Sequence, residues 1–195
     1  MKLTDDRYAA ERGQFELALR MIAHEARTGT ITECTGLSDD RIRKLYARYF
    51  RGAGNRTVRR RRGKSPQQVG HFVKNPLNQL DATMLVALFV ANLLLRVEDT
   101  RRIRACWPRA DVEYGHRVCR AYETYLLLCQ QPRLHFEWAW SLLKNISHND
   151  ELVLAGCGRC GALYVQDAFA LDHETCPGCV LAGAEPLSPG RLVRL

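Results

Sequence analysis

The stretch CGRCGALYVQDAFALDHETCPGCV, residues 157–180, decides how the rest of the chain is read. It holds Cys157-x-x-Cys160, fifteen intervening residues and Cys176-x-x-Cys179, the spacing expected of a four-cysteine zinc site. Two residues between ligands let a tight turn aim both thiolates at one ion. Gly158 and Gly161 beside the first pair, and Pro177-Gly178 inside the second, supply that turn. The intervening ALYVQDAFALDHET is long enough for a small hairpin that brings the chain back to the same ion. Four thiolates close a zinc coordination sphere and leave no position for water, so we expect one structural Zn2+ held by Cys157, Cys160, Cys176 and Cys179.

Other uses of these cysteines fit less well. A thioredoxin-like redox pair needs a βαβ setting, and the flanking sequence is helical. His173-Glu174 near CPGC resembles part of a zinc deaminase signature, but that motif requires a proline directly before its first cysteine and an upstream H-x-E. His173 is read as a surface residue or a neighbour of the ligands. No nucleophile elbow, paired carboxylate or histidine cluster stands out, and we expect a protein that is not an enzyme.

The 195 residues carry a formal net charge of +8, and that charge is concentrated. Residues 1–40 hold five basic and eight acidic side chains, residues 41–64 eleven basic and none acidic, and residues 65–195 thirteen of each. A block of this kind is the electrostatic footprint of a nucleic-acid binder, because each phosphate contact releases condensed counterions. Within it, Arg41, Arg43, Lys44, Arg48, Arg59, Arg60, Arg61, Arg62 and Lys64 are the candidate DNA contacts, with Arg159 of the cysteine stretch a weaker one. GKS at 63–65 suggests a P-loop, but that motif needs glycine at 58, where Val58 stands.

Hydrophobic residues make up 46% of the chain, enough for a substantial core. Phe15, Leu19, Ile22 and Ala26 predict a first helix, started by Asp5 or Asp6 and ended by Thr28-Gly29. A short helix at 31–35, Gly36 at a turn and Ser38 capping a helix to Tyr49 resemble a helix-turn-helix. In that second helix Ile42, Leu45 and Tyr49 face inward and Arg41, Lys44 and Arg48 outward. Residues 77–97 read as one helix, apolar almost all round, buried in the core or in a subunit interface. Asp99 to Pro108 reads as a polar turn with a smaller basic cluster at Arg101, Arg102 and Arg104. Residues 115–129 and 136–146 predict two more amphipathic helices, and Leu152 and Leu154 a short strand. The fold class expected is mainly α, with a helix-turn-helix-like N-terminal part and a small C-terminal four-cysteine module. The divisions are N-terminal helices at 1–50, a basic loop at 51–70, a helical core and partner interface at 71–150, the zinc module at 151–183 and a tail at 184–195.

The longest apolar run, from Ala82 to Leu95, is shorter than the roughly 20 residues of a membrane span. The opening MKLTDDRYAAER is charged, without the apolar run of a secretory signal. We therefore expect no membrane association and a cytoplasmic location, where thiols stay reduced and eight cysteines favour metal over disulfides.

Taken in order, AYETYLLLC (121–129), FEWAWSLL (136–143), ELVLAGCGRCGALYV (151–165), CPGC (176–179) and, upstream, IRKLYARY (42–49) resemble the FlhC family, a subunit of the bacterial flagellar master transcriptional activator. Together they cover most of residues 38–180. The resemblance implies a mainly helical protein that acts with a small helical FlhD-type partner in a hetero-hexamer. It also implies that the complex binds promoter DNA and recruits RNA polymerase to flagellar class II promoters. The family's zinc ligands match Cys157, Cys160, Cys176 and Cys179 one for one. The loop departs from the family's pattern: NRTVRRRRGKSPQQVGHF (55–72) stands where a proline-rich, tryptophan-containing stretch is expected. The alternative is a zinc-stapled nucleic-acid or protein binding module that regulates non-flagellar genes.

Overall fold

Apolar residues at helical spacing fold most of the chain into helices, and the computed structural model describes residues 2–50, 58–61, 63, 66–99, 102–148, 151–171 and 175–183, with side chains from Arg7 onward. Among the described residues the fold is mainly helical, with two short antiparallel hairpins.

Helix α1 spans Lys2–Ala23. It starts ahead of Asp5 and Asp6, so neither marks its beginning. Its buried face is Leu17, Ala18, Met21 and Ile22, while Phe15 and Leu19 pack only partly against the core. The helix ends earlier than Thr28-Gly29. Glu25 adopts a left-handed φ of 59°, its N–H bonds to Ile22 O at 2.9 Å and the N–H of Ala26 bonds to Met21 O at 3.0 Å, a Schellman closure.

Thr28 and Gly29 instead open helix α2, Thr28–Thr35, which has no side-chain cap of its own. Its cap comes from far along the chain. The carboxylate of Glu137, fully buried, accepts the Arg27 N–H at 2.7 Å and the Thr30 hydroxyl at 3.2 Å. Gly36, at φ 70°, ends α2 and returns its N–H to Thr32 O at 2.8 Å. Ser38 then caps α3, Asp39–Tyr49, by accepting the Arg41 N–H. Ile42 and Leu45 are buried as expected, but Tyr49 is exposed and its ring meets Phe15 edge-on.

After the short α4, Gly70–Val73, Asn75 caps α5, Pro76–Ala91, with Pro76 in the first turn. This helix stops six residues short of the expected Val97. Leu93 turns to φ 57°, and the chain continues as β1, Leu95–Asp99, paired antiparallel with β2, Arg102–Ala105. A hairpin thus replaces the polar turn, because Leu95 and Ile103 alternate with charged residues and are buried while Arg96, Glu98, Arg102 and Arg104 face out. Helix α5 runs through the middle of the molecule, against α4, α6, α7, β1 and elements of the cysteine region. Most of its apolar surface is covered by the chain itself, but one flank stays open, with Leu77, Ala87 and Ala91 exposed and Leu80 and Met84 half-buried.

Helices α6, Val112–Leu128, and α7, Phe136–His148, follow the expected apolar faces. Between them, buried Asp81 of α5 accepts the Tyr125 hydroxyl at 2.7 Å and the Arg133 N–H at 3.0 Å, joining α5, α6 and the connecting loop. Helix α6 meets α1 and α2 at Gly115, where a Cβ would lie 2.5 Å from Leu17 Cδ2 and 3.1 Å from Cys34 Cβ. Gly115→Ala is expected to cost about 1–3 kcal/mol through overpacking, read as a lower urea midpoint at unchanged slope. The last elements are β3, Leu152–Gly156, β4, Leu163–Asp167, and α8, Pro177–Leu181. Among the described residues no helix is long and apolar enough to cross a membrane.

Candidate metal centre and basic face

The hairpin expected between the two cysteine pairs forms around the first pair instead. Strand β3 delivers Cys157 into the turn, Gly156 pairs with Leu163, and β4 carries the chain away. The turn closes through Cys157 N–H to Ala162 O and Gly161 N–H to Cys157 O, each 2.9 Å, with Gly161 at φ 72°. A side chain at Gly161 would be strained there, which explains a glycine just past the second ligand. Cys176 is the N-cap of α8 with Pro177 in its first turn, so the second pair sits on the opening turn of a helix.

These two scaffolds bring all four sulfurs within 4.8 Å of one another. Cys157 Sγ lies 3.9 Å from Cys179 Sγ, and Cys160 Sγ 3.6 Å from Cys176 Sγ. A tetrahedral zinc with bonds of about 2.3 Å needs sulfur–sulfur edges of about 3.8 Å, so the four thiols fit that ion. None of the four is in a disulfide. Backbone N–H groups complete the surroundings: Cys176 N–H points at Cys157 Sγ at 3.3 Å, and Cys179 N–H at Cys176 Sγ at 3.4 Å. Burial pushes the Cys157 thiol up, but N–H groups of Cys176, Cys160 and Arg159 outweigh it and hold the group down at about 6. The Cys176 thiol is pushed up by burial and that of Cys179, through hydrogen bonding with the Cys176 and Cys160 sulfurs, to about 12. Of these three only Cys157 is predisposed to the thiolate a metal requires. Cys34 and Cys119, by contrast, are pushed up by burial in the apolar core, Cys119 to about 12. They behave as small hydrophobes.

Tyr164 is buried with Cys157 and Cys176 beneath the cluster. The region is pegged to α5 by two polar residues that sequence reading passes over. Gln79 Nε2 donates to Val165 O at 2.9 Å, and the Val165 N–H donates to Thr83 Oγ1 at 3.0 Å. A polar pair four residues apart on a mostly apolar helix, beside Asn78 and Asp81, is the available signal. His173 lies outside the described residues.

On α3, Arg41, Arg43, Lys44 and Arg48 are all exposed, on the side away from Ile42 and Leu45. Arg43 is shared with Asp40 at 3.1 Å, and Arg48 lies over the Tyr49 ring at 5.7 Å. Residues 58–61 run beside this helix. Val58 is buried and its carbonyl accepts the Tyr46 hydroxyl at 2.6 Å. Arg59 is exposed and Arg60 half-buried, and among the described residues neither guanidinium has an acidic partner. Arg61 is different: its guanidinium pairs with Glu25 at 3.0 Å. Arg62 and Lys64 lie outside the described residues. In the second basic cluster Arg104 and Arg96 meet Glu98, and Arg102 meets Asp99, so its described members are shared with acids. Arg101 lies outside the described residues, and the Nε of Arg159 is buried without a hydrogen-bond partner.

Set against known proteins, the chain matches no protein-family model and no curated protein significantly.

Proposed function

We propose that this chain is a DNA-binding transcriptional activator subunit whose four-cysteine site holds one structural zinc, and that it works by binding rather than by catalysis. The observation that carries this is the outer face of α3. Four basic side chains project from a helix anchored by Ile42 and Leu45, reached across the three-residue turn Gly36–Ser38 from α2. A helix docked this way can enter a major groove while Arg59, Arg60, Arg62 and Lys64 neutralise phosphates. The motif order between residues 42 and 179 supports placing it beside FlhC, with an FlhD-type partner in a hetero-hexamer, promoter DNA and RNA polymerase as the expected associates. The case for that partner rests on the resemblance.

The divergent loop favours a second reading, a zinc-stapled nucleic-acid or protein binding module that regulates genes other than flagellar ones. The two separate on what copurifies from the native host. A small helical partner with flagellar promoter fragments supports the first; the same partner with other promoters, or RNA, supports the second. The DNA contact itself is tested by replacing Arg41, Lys44 and Arg48 together with Ala. Binding to a mixed-sequence duplex is expected to weaken, and the slope of log affinity against log salt to become shallower by about 1 for each phosphate no longer neutralised. Unchanged affinity and slope would rule out α3 as the DNA-facing surface.

A further inference from the structure

We propose that Glu25 is a positioning residue for nucleic-acid binding, with Arg61 as its counter-charge, and that the arginines of residues 58–61 divide into one clip and two phosphate-facing groups. This rests on the DNA-binding role proposed above and assigns the residue that gives the basic face its shape.

Three independent observations converge. The first is conformational. Glu25 closes α1 at φ 59°, in the position of a Schellman closure where glycine is favoured. A side chain retained there has a use other than ending the helix. The second is where that side chain goes. Its Oε1 accepts the backbone N–H of Arg59 at 3.1 Å, and its Oε2 accepts Arg61 Nε at 3.1 Å and pairs with a terminal guanidinium nitrogen, Nη2, at 3.0 Å. Both carboxylate oxygens are thus committed to a segment more than thirty residues away. The third is the other end of that segment. Buried Val58 offers its carbonyl to Tyr46, a residue of α3 itself.

The segment is therefore fastened at 58 to α3 and at 59–61 to the turn after α1. Between the fastenings, the side chains of Arg59 and Arg60 remain without acidic partners among the described residues. Arg61 is occupied by Glu25 and is not available to a phosphate. A run of arginines that acts only as a diffuse positive cloud needs no such fastening. A fixed ridge set beside the face of α3 does, because a preordered segment gives up less conformational freedom when it meets the phosphates.

The two pictures predict opposite signs for one substitution. Glu25→Ala raises the net charge by one unit. If the arginines act as a cloud, the duplex binds more tightly and the salt slope steepens. If Glu25 positions them, binding weakens and the slope becomes shallower by about 1 for each phosphate left without its arginine. The experiment measures affinity of the full chain for a mixed-sequence DNA duplex across a salt series, with a thermal melt confirming that each variant is folded. Amide hydrogen exchange at Arg59 is followed without DNA. The expected result is weaker binding, a shallower slope and faster exchange at Arg59 in Glu25→Ala. Glu25→Gln, which keeps an acceptor for the Arg59 N–H, is expected to fall in between. Tighter or unchanged binding by a folded Glu25→Ala overturns the proposal. If the α3 variants lose binding while Glu25→Ala does not, the positioning role alone is lost. If the wild-type chain binds no duplex, the DNA-binding role is lost and this one with it.

Discussion

Replacing Cys157 or Cys176 with Ser is expected to abolish metal binding and to melt the turn at 157–161 together with α8. Beneath the cluster the local core is Tyr164 with two of the cysteines themselves, so without an ion the turn and α8 are joined mainly through their separate packing against α5. Structural zinc in small modules contributes about 10–16 kcal/mol of apparent binding free energy, comparable with the whole stability of an ordinary domain at about 5–15 kcal/mol. The effect should extend beyond the module, because β4 is bonded to α5 through Gln79 and Thr83. Even about 3 kcal/mol transmitted to the helical body would lower its melting temperature by about 6–12 °C for a chain of this size. Metal content per chain and hydrogen exchange at the Cys176 and Cys179 amides, whose N–H groups point at sulfur, are the measurements. A wild-type chain purified without metal, melting at the same temperature as the Ser variants, would refute the assignment.

Glu137→Ala is expected to cost about 3–5 kcal/mol, because it leaves a buried arrangement of donors without its charge. The carboxylate is fully buried and accepts the Arg27 N–H and the Thr30 hydroxyl at the start of α2, with the Arg27 guanidinium 4.0 Å away. Two guanidinium nitrogens of Arg27, Nε and one terminal nitrogen, are already buried without hydrogen-bond partners, so removing the nearby charge makes their burial more costly. Glu137→Gln keeps an acceptor and should lose less. Urea unfolding measures both, and equal midpoints for Ala and wild type would show that the cap carries no stability. The consequence reaches the basic face as well: α2 leads into α3 through three residues, so loosening its start loosens the support of Arg41, Lys44 and Arg48.

These two sites differ in how much of them is legible in the sequence. Four cysteines at that spacing specify their own geometry, because ligand separation and turn chemistry are local. Even so, the spacing predicts a hairpin between the pairs rather than around the first, and the structure differs because Leu163–Asp167 pairs with a strand that precedes Cys157. The cap on α2 is not legible. Thr28-Gly29 looks like a helix stop, and becomes a start only because a carboxylate about 110 residues later meets it. Helix α5 shows the same limit from the apolar side. An all-round hydrophobic pattern states that something covers the helix, and says nothing of whether the cover is this chain or another. The hairpin at 95–105 is hidden because β1 continues a helical apolar run into Leu94 and Leu95 with no glycine or proline between them. Glu25 leaves a faint signal, an acidic residue where a helix terminator would be expected, readable only once the helix end is known.

The packing of β4 and α8 against α5 has a practical consequence for anyone who wants the halves apart. Cutting the chain before residue 151 would strip one flank of its most hydrophobic helix and leave Gln79 and Thr83 facing solvent without their strand. The four-cysteine cluster therefore cannot be dissected away as an appendage. On the zinc reading proposed above, a titration that removes the ion would read the integrity of the helical body at the same time.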